Sequence, residues 1–109
     1  MQVAPAELEA HLLTHPFVAD CAVIQVPHQR SGEVPKAFVV RSKASEAEPE
    51  LQTAKQICEY VEKHKAAYKW LEGGVEFIGA IPKSPTGKIL RRLLRKKEKN
   101  KARQVSGKL

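Results

Sequence analysis

The chain is short and basic, and its charge is unevenly distributed. Its 109 residues, 42% hydrophobic and 28% charged, suit one small globular domain, so a large substrate pocket would need a second domain. No apolar run approaches the roughly 20 residues that cross a membrane, and the acidic start does not resemble a secretory signal peptide. Residues 83–109 hold eleven Lys and Arg and one Glu, which gives them a net charge of +10. Residues 1–82 carry a net charge of −3, so the whole chain carries +7.

The first half of the chain predicts one helix and a pair of strands. Residues 5–15 are expected to form a helix, because Pro5 suits the first helical position and leucines recur there at four-residue spacing. Residues 18–26 and 37–40 are apolar and rich in β-branched side chains. The Pro- and Gly-containing stretch between them predicts an antiparallel hairpin with a long loop.

The second half predicts a helix, a strand and a basic helix. Apolar residues recur at three- and four-residue spacing over residues 51–65, residues 75–78 form a short β-branched run, and a helical pattern follows Gly87 directly. The order αββαβα predicts a small α+β domain in which helices flank a three-stranded, largely antiparallel sheet. We expect this domain to cover residues 1–98 and residues 99–109 to form a basic, disordered tail.

The most distinctive stretch is the turn motif, residues 82–92, which reads PKSPTGKILRR. Prolines flank Ser84 on both sides, and Gly87 tolerates positive φ, so the backbone before Lys88 is restricted and sharply turned. The motif therefore predicts one lysine held where a loop meets a helix, with its ammonium and free backbone N–H groups available to a phosphate. From spacing alone, an ordinary solvated lysine at a helix start is an equal alternative.

Other phosphate and metal motifs are not supported. A Walker phosphate loop needs Gly where Pro82 stands and Ser or Thr where Ile89 stands. The four histidines lack a third ligand nearby in sequence and are interpreted as surface residues, so no metal site is expected: His11, His15, His28 and His64. No Ser-His-Asp set, carboxylate pair or GxGxxG motif is present either.

The cysteines and the Tyr-Trp pair are interpreted as structural residues. Cys21 and Cys58 have no CxxC spacing, which is typical of reduced thiols in the core of an intracellular protein. Tyr68 and Trp70 lie among helix-forming residues rather than on a basic sheet, so we expect them to pack on the core or on an interdomain face.

The basic segment over residues 91–101 admits several partners. Nucleic acid, an acidic membrane surface or a calmodulin-like protein would each suit a basic helix. A charge run without interleaved aromatic residues is weak evidence for any of them. We favour a helix whose leucines pack on the domain and whose basic face is solvated.

The turn motif resembles the last conserved motif of the AMP-forming adenylating enzymes, the superfamily of acyl-CoA synthetases, 4-coumarate:CoA ligases and luciferases. Three further segments resemble the family in its own order: residues 3–9 (VAPAELE), 15–23 (HPFVADCAV) and 32–40 (GEVPKAFVV). The resemblance covers nearly the whole chain except the basic tail. It is strongest to the 4-coumarate:CoA ligase-like branch.

The resemblance implies that the chain is a C-terminal lid domain working with a larger N-terminal adenylation domain. In such enzymes a carboxylic acid and ATP, which brings Mg²⁺, give an acyl-adenylate and pyrophosphate. The lid then rotates and the acyl group passes to the thiol of coenzyme A. The nucleotide and carboxylate pockets belong to the N-terminal domain, so the acid substrate is not encoded in this sequence.

The resemblance also implies roles for particular residues. Lys88 corresponds to the lysine that contacts the substrate carboxylate and the α-phosphate region during adenylation, and Thr86 and Gly87 belong to the loop that directs it. Gln2 falls in a segment that lines the active site during thioester formation.

The alternative is a free-standing basic module that binds nucleic acid or an acidic surface. The turn motif favours the ligase domain, because an electrostatic binder does not need one precisely held lysine. The final residues Gly107-Lys108-Leu109 differ from the peroxisomal Ser-Lys-Leu signal at the first position, so we expect a cytoplasmic location, with peroxisomes as the weaker alternative.

Overall fold

The computed structural model describes residues 5–28, 32–64, 71 and 73–107. Helices and strands alternate in the predicted order αββαβα, which confirms the α+β class. A short 3₁₀ turn, Lys43–Ser45, follows the second strand. The elements are α1 (Pro5–Leu12), β1 (Val18–His28), β2 (Gly32–Arg41), α2 (Glu50–His64), β3 (Val75–Phe77) and α3 (Arg91–Gly107).

The sheet has the strand order β1-β2-β3. β1 and β2 pair antiparallel along nearly their whole length, whereas β3 pairs with β2 in parallel at Ala37–Val75, Phe38–Glu76 and Val39–Phe77. The parallel pairing follows from the connection, because a chain that returns to run parallel to a strand needs a long crossover, and here that crossover contains α2.

The predicted long hairpin loop is wrong. The pairing of β1 with β2 continues to His28 and Gly32, so only residues 29–31 separate the strands. Pro27 does not end β1, because β1 is an edge strand and a proline there can point its missing N–H side away from the ladder.

Both faces of the sheet are covered. Since successive side chains of a strand point to opposite faces, Cys21 and Val23 belong to one cluster, and Ala22 and Ile24 to the other. On the first face α1 and α2 contribute buried side chains: Leu8, Leu12, Ile57 and Val61. On the second face Leu94 of α3 packs with Phe38 and Ile81. The start of α3, next to the turn motif, is thereby held against the sheet.

Two helices differ from their predicted bounds. α1 ends at Leu12, three residues early, where the backbone closes short turns through Thr14 N–H to His11 O and His15 N–H to Leu12 O. α3 continues to Gly107 instead of giving way to a disordered tail beyond residue 98. Ion pairs of α3 with Glu76 on β3 continue as far as Lys101, three residues past the predicted boundary.

The prediction of free cysteines is confirmed, whereas the predictions for two of the histidines are wrong. Cys21 and Cys58 are free thiols, and burial raises the pKa of Cys21 to about 12. His11 and His15 are half-buried rather than on the surface, because both rings pack against Tyr60, with centroids 4.7 and 4.8 Å apart. Tyr68 and Trp70, and the side chains of His28 and His64, lie outside the described residues.

Within the described part of the chain, no helix is long and apolar enough to cross a bilayer. The same residues contain no group of three or more His, Cys, Asp or Glu side chains that could hold a metal ion.

A buried ionic cluster connects α3 to the sheet. The Nζ of Lys36, whose side chain is 8% exposed, lies 2.9 Å from Glu76 Oε1 and 2.6 Å from Glu98 Oε1. Lys101 Nζ approaches Glu76 Oε1 to 3.0 Å. Partial burial alone would raise the pKa of Glu76, but the hydrogen bonds from Lys36 and Lys101 outweigh it and lower that pKa to about 2.

Acid is expected to remove the stability that Glu76 provides. Because its pKa is lower in the folded chain than the ordinary 4.5, the stabilisation is complete above about pH 4.5 and disappears as the pH falls towards 2. Because two of its lysine partners, Lys97 and Lys101, are more than half exposed and screened by water, the Glu76→Gln variant should unfold about 1 kcal/mol more easily than the unchanged chain at pH 7. The gap should close near pH 2. Denaturant unfolding of both proteins across this range measures the gap. A difference that does not vary with pH would contradict the assignment.

Candidate functional site

Lys88 lies in a tight turn whose two ends are hydrogen-bonded to each other through the backbone. We call residues 83–89 the lysine turn. Its ends form an antiparallel bridge between Lys83 and Ile89. Inside it, Ser84 N–H donates to Lys88 O at 2.8 Å, and Gly87 N–H donates to Ser84 O at 2.8 Å. The turn is thus a small closed unit rather than an open loop.

This closed turn shifts the start of the following helix. The prediction began the basic helix at or just after Gly87, but α3 begins at Arg91. Ile89 is still paired with Lys83, and Leu90 N–H donates to Pro82 O at 2.9 Å, so neither residue can enter the helix. Lys88 accordingly precedes the helix by three residues.

Side chains within the turn fix the backbone on which Lys88 stands. The Ser84 hydroxyl lies 2.9 Å from the Thr86 hydroxyl and accepts a hydrogen bond from Lys88 N–H at 3.2 Å. Gly87 has φ of 88°, a left-handed conformation that a side chain would strain. A Cβ there would meet nothing within 4 Å, so the backbone angle rather than space accounts for the glycine.

The turn has fewer free backbone N–H groups for binding an anion than the sequence predicts. The N–H groups of Gly87 and Lys88, expected to be free, already donate to Ser84. The Thr86 hydroxyl also has a partner inside the turn. The exposed ammonium of Lys88 is then the group of the turn best suited to recognise a negative charge.

The two lysines of the turn differ in their surroundings. Lys83 Nζ is 2.7 Å from Asp20 Oδ2 of β1. Lys88 is exposed, and among the residues that the structure describes no carboxylate pairs with its ammonium. Lys88 is therefore able to reach a group outside this domain, whereas Lys83 contributes to holding the turn.

Sequence reasoning missed the residues that hold the far end of the turn. Arg91 donates from Nη2 to both carboxylate oxygens of Glu9, at 2.6 and 2.8 Å, and from Nε to Val23 O at 3.3 Å. Two local signals mark Glu9 and Arg91 individually, but neither signal identifies the pair. Glu9 directly follows the buried Leu8 on a short helix, and a cation at the first position of a helix opposes the helix dipole unless it has a partner.

Of the predicted site residues, the structure brings Thr86, Gly87 and Lys88 together in one turn. Gln2 lies outside the described residues.

The fold and the lysine turn define a small α+β domain that presents the ammonium of Lys88 at its surface on a closed turn. The chain belongs to the family described as the AMP-binding enzyme C-terminal domain, whose sequence model matches residues 7–88. The match ends on Lys88 itself.

Curated relatives in this family are named as ligases. The chain is 46% identical over 102 residues to the acyl-CoA ligase lcsD of Purpureocillium lilacinum, covering 94% of this chain and 26% of the relative. It is 51% identical over 94 residues to 4-coumarate-CoA ligase 1 of Narcissus pseudonarcissus, covering 86% and 16%. The chain thus spans about a quarter or less of the length of these relatives.

The solved structures that are similar to this chain also include an acyl-CoA synthetase and a CoA ligase. An acyl-CoA synthetase from Brucella canis superposes with a TM-score of 0.82 at 37% identity, over 94% of this chain and 18% of that one. The anthranilate CoA ligase AuaEII, solved in complex with anthranoyl-AMP, superposes with a TM-score of 0.79 at 37% identity, over the same two shares. The alternative of a free-standing basic module gains no support from these relatives.

Proposed function

We propose that the chain is the C-terminal domain of an ATP-dependent carboxylic acid:CoA ligase of the 4-coumarate:CoA ligase-like type, and that Lys88 serves its adenylation step. The observation that carries the proposal is the exposed ammonium of Lys88 on a closed turn, at the end of the family match. The names of the relatives support acyl-CoA ligation as the reaction. The acyl-adenylate bound to a similar structure supports adenylation as its first step.

The proposed reaction has two steps. First, a carboxylate oxygen attacks the α-phosphorus of ATP and pyrophosphate leaves, giving an acyl-adenylate. Negative charge gathers at the reacting phosphate and carboxylate, and a preorganised ammonium stabilises that charge more in the transition state than in the ground state. Second, the thiol of coenzyme A attacks the acyl carbonyl and AMP leaves.

Other components come from outside the described residues. The N-terminal adenylation domain would supply the pockets for ATP, its Mg²⁺, the carboxylic acid and coenzyme A. Gln2 would line the site in the thioester-forming arrangement, which the domain would reach by rotation. Gly87 and Thr86 would shape the turn on which Lys88 approaches its substrates.

We place the enzyme in the cytoplasm as part of the same proposal. Peroxisomal import is the weaker alternative, because the tripeptide Gly107-Lys108-Leu109 differs from Ser-Lys-Leu at its first residue.

The reaction type can be tested on the intact ligase that contains this chain. Incubation with ATP, Mg²⁺ and a panel of aromatic and fatty acids, without coenzyme A, should release pyrophosphate and give acyl-AMP only when a suitable acid is present. Addition of coenzyme A should then give the thioester and AMP. Products separated by chromatography would identify both steps, with an acid-free reaction as the control. Formation of ADP and phosphate in place of AMP and pyrophosphate would exclude the proposed chemistry.

A further inference from the structure

A buried carboxylate on α1 is paired with the first residue of α3, two positions beyond the lysine turn. Glu9 is 7% exposed, although it is charged. Its Oε2 accepts from Val23 N–H at 2.7 Å and from Arg91 Nη2 at 2.8 Å, and its Oε1 accepts from Arg91 Nη2 at 2.6 Å. A buried charge is costly unless it is paired and hydrogen-bonded, and Glu9 meets both conditions.

Arg91 receives this carboxylate at the point where the turn becomes a helix. It is the first residue of α3 and follows Lys88 by three positions. A cation at a helix N-terminus is disfavoured by the helix dipole, so the ion pair with Glu9 offsets an intrinsic cost. Arg91 Nε also donates to Val23 O, which fixes the guanidinium to β1 as well as to α1.

The other end of the turn has a weaker attachment. Lys83 pairs with Asp20, but the two side chains are 39% and 31% exposed. Exposed pairs contribute little to stability because water and salt screen them. The turn and the helix that follows it are consequently fixed at two points on the α1–β1 unit. The pair of Glu9 with Arg91 is the better shielded one, because the side chain of Glu9 is 9% exposed and that of Arg91 31%.

We propose that Glu9 is a positioning residue for adenylation: through Arg91 it fixes the end of the lysine turn and thereby sets the approach of Lys88 to the reacting groups. The inference rests on the proposed function of Lys88. Glu9 touches no substrate in this scheme. Its effect comes from geometry, since a displacement of about 1 Å in a catalytic group can cost roughly 100-fold in rate.

The test compares Glu9→Gln, Lys88→Ala and the double variant in the intact ligase. In Glu9→Gln we expect kcat for acyl-adenylate formation to fall roughly 10- to 100-fold, with little change in KM for ATP or the acid. Thioester formation from supplied acyl-adenylate should be nearly unaffected. In the Lys88→Ala background, Glu9→Gln should lower adenylation no further, because residues that act as a unit are not additive.

Glu76→Gln is the matched control. It makes the same chemical change in another carboxylate that is paired with α3, but beside Lys101 rather than beside the turn. It should lower stability while leaving the adenylation kcat within about 2-fold of the unchanged enzyme. If Glu9→Gln fails to fold, Arg91→Lys carries the same expectation. Lysine keeps the charge, but its single nitrogen cannot replace both the Nη2 bonds to Glu9 and the Nε bond to Val23 O.

The outcomes separate the two proposals. Glu9 has no positioning role if Lys88→Ala lowers adenylation but Glu9→Gln does not. The same conclusion follows if Glu9→Gln lowers adenylation as much in the Lys88→Ala background as in the unchanged enzyme. In both cases the proposed function of Lys88 is unaffected. If Lys88→Ala itself leaves adenylation unchanged, both proposals are overturned.

Discussion

Replacement of Lys88 by alanine is expected to lower acyl-adenylate formation by about 10²- to 10³-fold, the range seen when one donor is removed from developing charge. Thioester formation from supplied acyl-adenylate should change far less, because the phosphate chemistry is then complete. Lys88 suits this selective role because its ammonium has no carboxylate partner among the described residues and its backbone is fixed by Ser84 and Gly87.

The two half-reactions can be measured separately in the intact ligase. Pyrophosphate release in the absence of coenzyme A reports adenylation, and thioester formation from synthetic acyl-AMP reports the second step. Lys96→Ala is the control, since Lys96 is another exposed lysine, on α3 and away from the lysine turn. Equal losses in both half-reactions for Lys88→Ala would contradict the assigned role.

Truncation of Phe38 is expected to have the largest effect on stability. Phe38 lies at the centre of β2, is 0% exposed and packs in the cluster that holds α3 to the sheet. The ammonium groups of Lys36 and Lys97 lie 5.1 and 5.9 Å from its ring centroid. Phe38→Ala should cost about 3–5 kcal/mol through lost burial and a residual cavity, a large share of the 5–15 kcal/mol typical of a whole domain.

Denaturant unfolding of the expressed chain measures this loss. Leu51→Ala is the comparison, because Leu51 is 85% exposed and its truncation should change the free energy of unfolding by no more than about 0.5 kcal/mol. A loss below about 1 kcal/mol for Phe38→Ala would mean that the second cluster does not hold α3 as described.

Features that depend on neighbours in sequence were largely predictable. Hydrophobic periodicity correctly gave the order and type of the six main elements. The prolines and Gly87 correctly indicated a sharp turn before Lys88, and Gly87 does adopt positive φ. The role that we propose for Lys88 does not follow from such patterns, because a catalytic lysine and a solvated lysine share the same spacing.

Features that depend on distant contacts were not predictable. β3 could run parallel or antiparallel to β2 until the path of the crossover was known. The pair of Glu9 with Arg91 joins residues 82 positions apart, and neither local sequence indicates its partner. The ion pairs of α3 with Glu76 likewise join different elements.

The attachment of α3 at both ends bears on the domain rotation that we propose. Arg91 is tied to α1 and β1, and Lys101, ten residues later and about 15 Å along the helix axis, is tied to β3. Neither the turn nor the helix can then swing by itself without breaking ion pairs to the sheet. Lys88 would enter and leave the adenylation site only as the whole domain turns, so the energy barrier to that exchange would lie in the linker and the domain interface rather than within this fold.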